Sequence, residues 1–204
     1  KPVSTAINAL REPRFRDLFI ISFIFVTAFS MMQMTIAMFW YDDYGLDKTR
    51  IGHMFAIVGL GSAIVQGTMI GWLQRTFGER NLLIYGAVLV AIGLGMIAFI
   101  PPAHFMSLTI LSIALLSLGN GCLSPTLLSQ LSRNAEQHEQ GEVLGMNQSF
   151  GSLARIVGPA LGGRLYELWH GLPYVVSGVI MLGALVYVIH YLRTMFGQNV
   201  ALKG

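Results

Sequence analysis

Six long apolar runs follow one another along the chain, at about Leu18–Trp40, Ile51–Leu73, Leu82–Ile100, Phe105–Leu127, Val143–Leu165 and Pro173–Tyr191. A helix rising roughly 1.5 Å per residue needs about 20 such residues to cross the hydrocarbon of a bilayer. The pattern therefore predicts six transmembrane helices, and the short polar connectors make neighbouring spans antiparallel. Residues 1–17 are polar and broken by Pro2 and Pro13, as a cytoplasmic linker would be. Residues 18–193 then form the bundle and 194–204 a cytoplasmic tail.

The fifth run differs from the rest. Small residues recur at every fourth place, Gly141, Gly145 and Ser149, then Ala154, Gly158 and Gly162. Such ladders let helix backbones approach closely where lipid supplies no hydrophobic drive between them. Gln148, Ser152 and Arg155 make one polar stripe at i, i+4 and i+7, and Pro159 interrupts the backbone ladder. This helix is predicted to face protein or a wet cavity. The second run carries a similar ladder, Gly59, Ala63, Gly67 and Gly71, which fits either an interface with another bundle or close packing inside this one. The segments GSAIVQGTMIGWL (61–73) and GSLARIVGPALGGRL (151–165) also match faintly. As second helices of two three-helix units, they point to two inverted repeats.

Composition agrees with a membrane bundle: 54% of residues are hydrophobic and 11% charged, against about 25% charged in soluble domains. The net charge of +3 is therefore no nucleic-acid signal, because its distribution carries the information. With the N-terminus in the cytoplasm, Lys1, Arg11, Arg14, Arg16, Arg75, Arg80, Arg133, Arg193 and Lys203 share one side; Lys48, Arg50 and Arg164 take the other. That asymmetry puts both termini in the cytoplasm. Trp40, Tyr41, Tyr44, Trp72, Tyr166, Trp169 and Tyr174 lie near span ends, as interfacial aromatics do. The sequence begins with Lys rather than Met, which suits a piece of something longer or a processed product.

No acidic residue falls at mid-membrane depth, and the histidines sit near span ends or in loops, so any proton-binding site is expected elsewhere. Arg155 is the reverse case. Unpaired at mid-depth it costs at least ~2.5–3.5 kcal/mol, so it needs an acid from outside these spans, an anionic substrate, cavity water, or oxygens such as those of Gln66 or Gln148. A salt bridge locking two halves and a direct part in transport both fit. Gln33, Gln66, Ser117, Asn120 and Ser124 add polar groups to the spans. The last three share a face at i, i+3 and i+7, where they either bond neighbouring helices or line a passage. Met31, Met32, Met34 and Met38 suit ordinary filler and an adaptable ligand wall equally.

The connector GWLQRTFGERN (71–81) has Gly78 for a tight turn and Arg75 and Arg80 to hold it at the inner face. A phosphate-binding Gly-x-x-x-x-Gly-Lys run, metal-ligand spacing and a nucleophilic triad are all missing from the sequence. Lone Cys122 excludes an internal disulfide. Neither enzymatic chemistry nor a cofactor is expected.

Gly71-Trp-Leu-Gln-Arg75-Thr-Phe-Gly78-Glu-Arg80 resembles the Gly-x-Leu-Ala-Asp-Arg-x-Gly-Arg-Arg loop of the major facilitator superfamily, in the copy found in the second half of those carriers. Gln74 stands where the first-half motif has Asp. Gly158-Pro159-x-x-Gly162-Gly163 is similar to the antiporter glycine-proline motif. The run from Leu118-Gly-Asn-Gly121 to Pro125, and that from Gly141 through Leu153-Ala-Arg-Ile to Pro159, resemble drug/proton antiporters of the tetracycline-resistance type. The resemblance implies an all-α membrane protein that forms one half, the C-terminal, of a twelve-helix fold. Its first and fourth spans would line a central cavity and its second and fifth would face an N-terminal half. Coupling acids of such carriers commonly sit in that first half.

The expected function is secondary transport by alternating access, coupled to protons as the resemblance implies, with efflux of amphipathic small molecules across a bacterial inner membrane. Gln33, Met34, Asn120 and Ser124 are expected to touch substrate, and Gln66, Gln148 and Arg155 to govern the seam between halves. Arg75, Arg80 and Glu142 would close the cytoplasmic gate, and Gly71, Gly78, Gly158, Pro159 and Gly162 form the helix-packing motif. A homodimeric six-helix carrier or pore, a non-transporting membrane subunit and an importer remain the alternatives.

Overall fold

The computed structural model describes residues 12–64, 67 and 70–201. The linker as far as Arg11, the seam residue Gln66, and the tail residues 202–204 with Lys203 lie outside the described residues. Among those described there are six α-helices and one short 3-10 turn, Pro102–His104. The helices are α1 (Pro13–Tyr44), α2 (Lys48–Ile64), α3 (Ile70–Ile97), α4 (Phe105–Asn134), α5 (Gln140–Leu168) and α6 (Leu172–Ala201).

Their ends follow from local chemistry. Pro13 opens α1, where a missing N–H costs nothing. Gly45, with φ 62°, closes it: its N–H donates to the Tyr41 carbonyl and the Leu46 N–H to the Trp40 carbonyl. Only glycine adopts that left-handed turn without strain. Two residues later the Asp47 carboxylate accepts the Arg50 N–H at 2.8 Å, capping the start of α2. Gly78 breaks α3 at φ 70°, ψ 156°. Helix runs up to it and resumes directly after it, so the connector predicted over 71–81 is in fact a single-residue kink.

Among the described residues, four helices are long and apolar enough to cross a membrane: Arg14–Tyr44, Arg75–Ile97, Pro102–Asn134 and Leu172–Arg193. The fifth predicted span does form a 29-residue helix, α5, but its polar stripe keeps it out of that group. The second is interrupted by residues outside the description.

Two pairs of helices make the body of the bundle. One is α1 against α5, the other α3 against α4, and α6 packs on both α1 and α3. α2 lies at the edge, touching α4 and α1. The α1–α5 crossing is built on Gly158 and Gly162. A methyl group at Gly158 would stand 2.7 Å from the Thr27 carbonyl oxygen, and one at Gly162 2.8 Å from Met31 Cγ. The lower half of the α5 ladder therefore meets a helix of this same chain. Gly141 and Gly145, at its upper end, have open space, as do Gly59, Gly67 and Gly71 of the second ladder.

Buried side chains gather where α1, α5 and α6 meet, among them Phe19, Met31 and Tyr174. The Phe19 and Phe150 rings pack tilted with centroids 5.2 Å apart, and those of Phe39 and Tyr174 with centroids 4.9 Å apart. Outward, Val179, Leu182 and Val186 of α6 stay exposed at i, i+3 and i+7, an apolar stripe suited to lipid.

Candidate functional site

Between α1 and α4 lies a partly open cavity of about 320 Å³, also lined by Phe55 of α2 and by Ile97 and Ile100. From α1 it receives Phe29, Met32, Gln33, Ile36 and Trp40, which recur every three to four residues on one face. From α4 come Thr109, Ser112, Leu116, Ser117 and Asn120, again one helical stripe. Gln33 and Asn120, singled out from the sequence, thus line one space.

Two other expected contacts do not. Met34 is 58% exposed and points about 100° round the helix from Gln33. Ser124 is exposed one turn beyond Asn120, past the end of the cavity. In their place the structure brings Thr109 and Ser112, 3% and 1% exposed, whose hydroxyl oxygens have no hydrogen-bond partner among the described residues. The spacing of 109, 112, 116 and 120 was the available signal, since it extends the Asn120 stripe by three turns towards the start of α4.

Arg155 occupies the midpoint of α5 and is exposed. Its guanidinium runs back along its own helix, with Nη1 3.6 Å from where a methyl on Gly151 would sit. It enters none of the ion pairs formed among the described residues. Gln148 and Ser152 share that exposed side, Ser152 Oγ donating to the Gln148 carbonyl at 2.9 Å.

At the end that the arginine count assigns to the cytoplasm, Arg75, Arg80 and Glu142 are all exposed. The structure does not draw Glu142 into an ion pair with either arginine; the carboxylates that tie helices together here are others. Glu79, directly after the Gly78 kink, accepts from Ser129 Oγ at 3.0 Å, Gln130 Nε2 at 2.6 Å and Arg133 Nη2 at 3.1 Å, pinning α3 to α4. Arg14 reaches Glu139 at 2.9 Å, joining α1 to the start of α5. Asp17 accepts from Tyr187 at 2.8 Å, joining α1 to α6. Glu79→Gln keeps the shape but loses the charge, and should lower stability by about 1–2 kcal/mol, given how exposed Arg133 is. Thermal unfolding in detergent reads this as a drop in Tm; an unchanged Tm would mean that Glu79 holds nothing.

The opposite end is tied differently. Tyr166 donates to Asp42 Oδ2 at 2.7 Å, and His170 Nδ1 lies 2.8 Å from Asp43 Oδ1. The Tyr166 and His170 rings stack at 4.5 Å. These contacts hold the end of α1 to the end of α5, and Tyr44 donates to the Ile100 carbonyl at 2.7 Å alongside them.

A family model described as Major Facilitator Superfamily matches residues 18–203. The chain is 30% identical to Multidrug resistance protein 2 of Bacillus subtilis over 169 residues, which are 80% of this chain and 40% of that protein. It is 30% identical to the class C Tetracycline resistance protein of Escherichia coli over 148 residues, 71% of this chain and 36% of that one. The chain thus spans well under half the length of these curated relatives. Among solved structures, the human organic anion transporter MFSD10 (TETRAN) superposes with a TM-score of 0.78 at 20% identity. The superposition covers 92% of this chain and 46% of that one, and shows a shared fold.

Proposed function

The chain belongs to the Major Facilitator Superfamily, and from that premise we propose that it is the C-terminal six-helix half of a proton-coupled exporter of amphipathic small molecules. The observation that carries this reading is the cavity that both Gln33 of α1 and Asn120 of α4 line, among aromatic and aliphatic walls. Such a lining, apolar with a few convergent polar groups, is the usual make-up of a small-molecule site. The names of the multidrug and tetracycline resistance proteins support export as the direction.

In this reading an N-terminal six-helix half covers the exposed sides of α2 and α5, and the two halves rock about a site near the membrane midplane. The open glycines 59, 67, 71, 141 and 145 provide the close-packing surface, with Arg155, Gln148 and Gln66 along it. The coupling proton binds in the first half. Each half consists of two inverted three-helix repeats in the bacterial inner membrane, with both termini cytoplasmic. Arg75, Arg80 and Glu142 meet at the cytoplasmic gate in a state other than this one.

Reconstitution of the full-length protein in proteoliposomes tests the reading. A pH gradient should drive ethidium or tetracycline across the membrane, and collapsing the gradient with a protonophore should stop it. No gradient-dependent flux of any amphipathic probe would overturn export. Asn120→Leu is expected to raise the KM for a carried probe about tenfold, the value of one lost hydrogen bond, with normal protein yield. An unchanged KM removes Asn120 from the site.

A further inference from the structure

A second hollow, a cleft of about 360 Å³, lies between the start of α2 and the start of α4, at the end of the bundle opposite Arg75 and Arg80. Its apolar lining comes from Met54 and Ile57 of α2 and Phe105 and Met106 of α4. Arg50 and His53, both exposed, supply the polar part. His53 and Ile57 stand two residues to either side of Phe55, which lines the α1–α4 cavity, so they point roughly 160° away from it. Gly59, where the open glycines of α2 begin, points roughly 120–160° away from the same two residues. The cleft therefore opens neither to the cavity nor to the glycine seam. On the outside of a membrane-spanning bundle such a surface meets lipid. The apolar surface continues from it along both helices: Ile57 and Leu60 are exposed at i and i+3 on α2, Met106 and Ile110 at i and i+4 on α4.

The acid beside the cleft does not answer its charge. Asp47 Oδ1 accepts the Arg50 backbone N–H, while Arg50 Nε stands 4.0 Å from Asp47 Oδ2 with its side chain 74% exposed. An exposed pair at that distance contributes little, so the guanidinium fork is available to another anion. A cation and a ring N–H at the mouth of an apolar cleft fit one kind of molecule, an anionic head joined to a hydrocarbon chain. A soluble anion would leave the apolar lining uncovered, and an uncharged chain would leave the fork unmatched. We propose that this cleft binds an anionic phospholipid from the leaflet on the side away from the cytoplasm. The phosphate sits on the Arg50 fork with a His53 ring N–H beside it, and an acyl chain runs over Ile57 and Met106 towards Leu60 and Ile110. Through this lipid α2, at the edge of the bundle, gains a further tie to α4. The site goes beyond the transport reading and does not depend on it, since it requires only a chain that lies in a membrane.

The test is native mass spectrometry of the full-length protein in dodecyl maltoside, with added dioleoyl-phosphatidylglycerol, dioleoyl-phosphatidylcholine or glycerol phosphate. Phosphatidylglycerol should be held about fivefold or more tighter than phosphatidylcholine, whose head brings its own cation to the site. The double variant Arg50→Gln/His53→Ala should retain one phosphatidylglycerol fewer than the wild type and the same number of phosphatidylcholines. Ile57→Ser/Met106→Ser keeps both polar groups and should lose that lipid as well. Glycerol phosphate, the head without its chains, should not displace the lipid at equal concentration. Displacement would make the cleft a plain anion site and overturn the proposal. Equal retention of the two lipids by the wild type also overturns it, in a comparison that needs no variant. So does an Arg50/His53 variant that keeps every phosphatidylglycerol, the result expected if another part of the protein or a second copy covers the cleft. Because lipid is counted without flux, the count can hold in a protein that moves nothing, and can fail in one that transports well.

Discussion

Gly158→Ala is expected to destabilise the protein by about 2–3 kcal/mol, the upper range for forcing extra volume into a packed interior. The added methyl would lie 2.7 Å from the Thr27 carbonyl oxygen and 3.1 Å from the Met31 amide nitrogen. Both are backbone atoms of α1, so no side chain can rotate out of the way. The helix itself would have to back off, and the contact one turn further, at Gly162 against Met31, would open with it. Thermal unfolding of the full-length protein in detergent should show Tm falling by several degrees, and Gly158→Val should leave little folded material. Gly163→Ala is the control on the same helix, because a methyl there meets nothing within 4 Å. If both alanines behave alike, α1 and α5 do not cross as closely as described.

That crossing also marks how far the sequence could be read. Glycines four residues apart predicted a close approach, and Gly158 and Gly162 make one, against α1. Spacing alone could not name the mate, since a glycine ladder specifies only that some backbone comes near. Gly78 was legible for a firmer reason: a lone glycine between two helical runs, at a place where the chain must turn, suits the positive φ it adopts. The cavity face of α4 was half legible. Asn120 was legible because it shares a face with Ser117 and Ser124 at i, i+3 and i+7. Thr109 and Ser112 lie one to three turns nearer the start of the helix, and hydroxyls there so often satisfy themselves on their own helix that their presence alone gives no reason to pick them. Thr126 does so, donating to the Cys122 carbonyl at 2.6 Å; Thr109 and Ser112 do not. Ser124 and Met34 were placed by periodicity in a wall whose extent depends on α1 and α2, and that extent is tertiary information. Glu79 went unread for the same reason, as its three partners lie about fifty residues away on α4.

If the proposed transport reading holds, Arg155→Gln is expected to abolish gradient-driven flux while leaving the folding of this six-helix bundle intact. The guanidinium is exposed, touches its own helix near Gly151 and forms no ion pair among the described residues, so its removal breaks no bond seen here. An uncompensated charge at that depth nevertheless costs at least ~2.5–3.5 kcal/mol, and a chain that keeps one has a use for it outside its own bundle. Flux and Tm, measured together on the full-length protein, separate the two uses. If the arginine acts in coupling, Gln stops transport by tenfold or more at an unchanged Tm, and Arg155→Lys restores part of it because the charge returns without the planar fork. If it is a lock between halves, Tm falls together with flux, since the partner carboxylate is left buried and unpaired. Normal flux at a normal Tm would leave Arg155 without either role, and the exposed side of α5 would then need no charged mate.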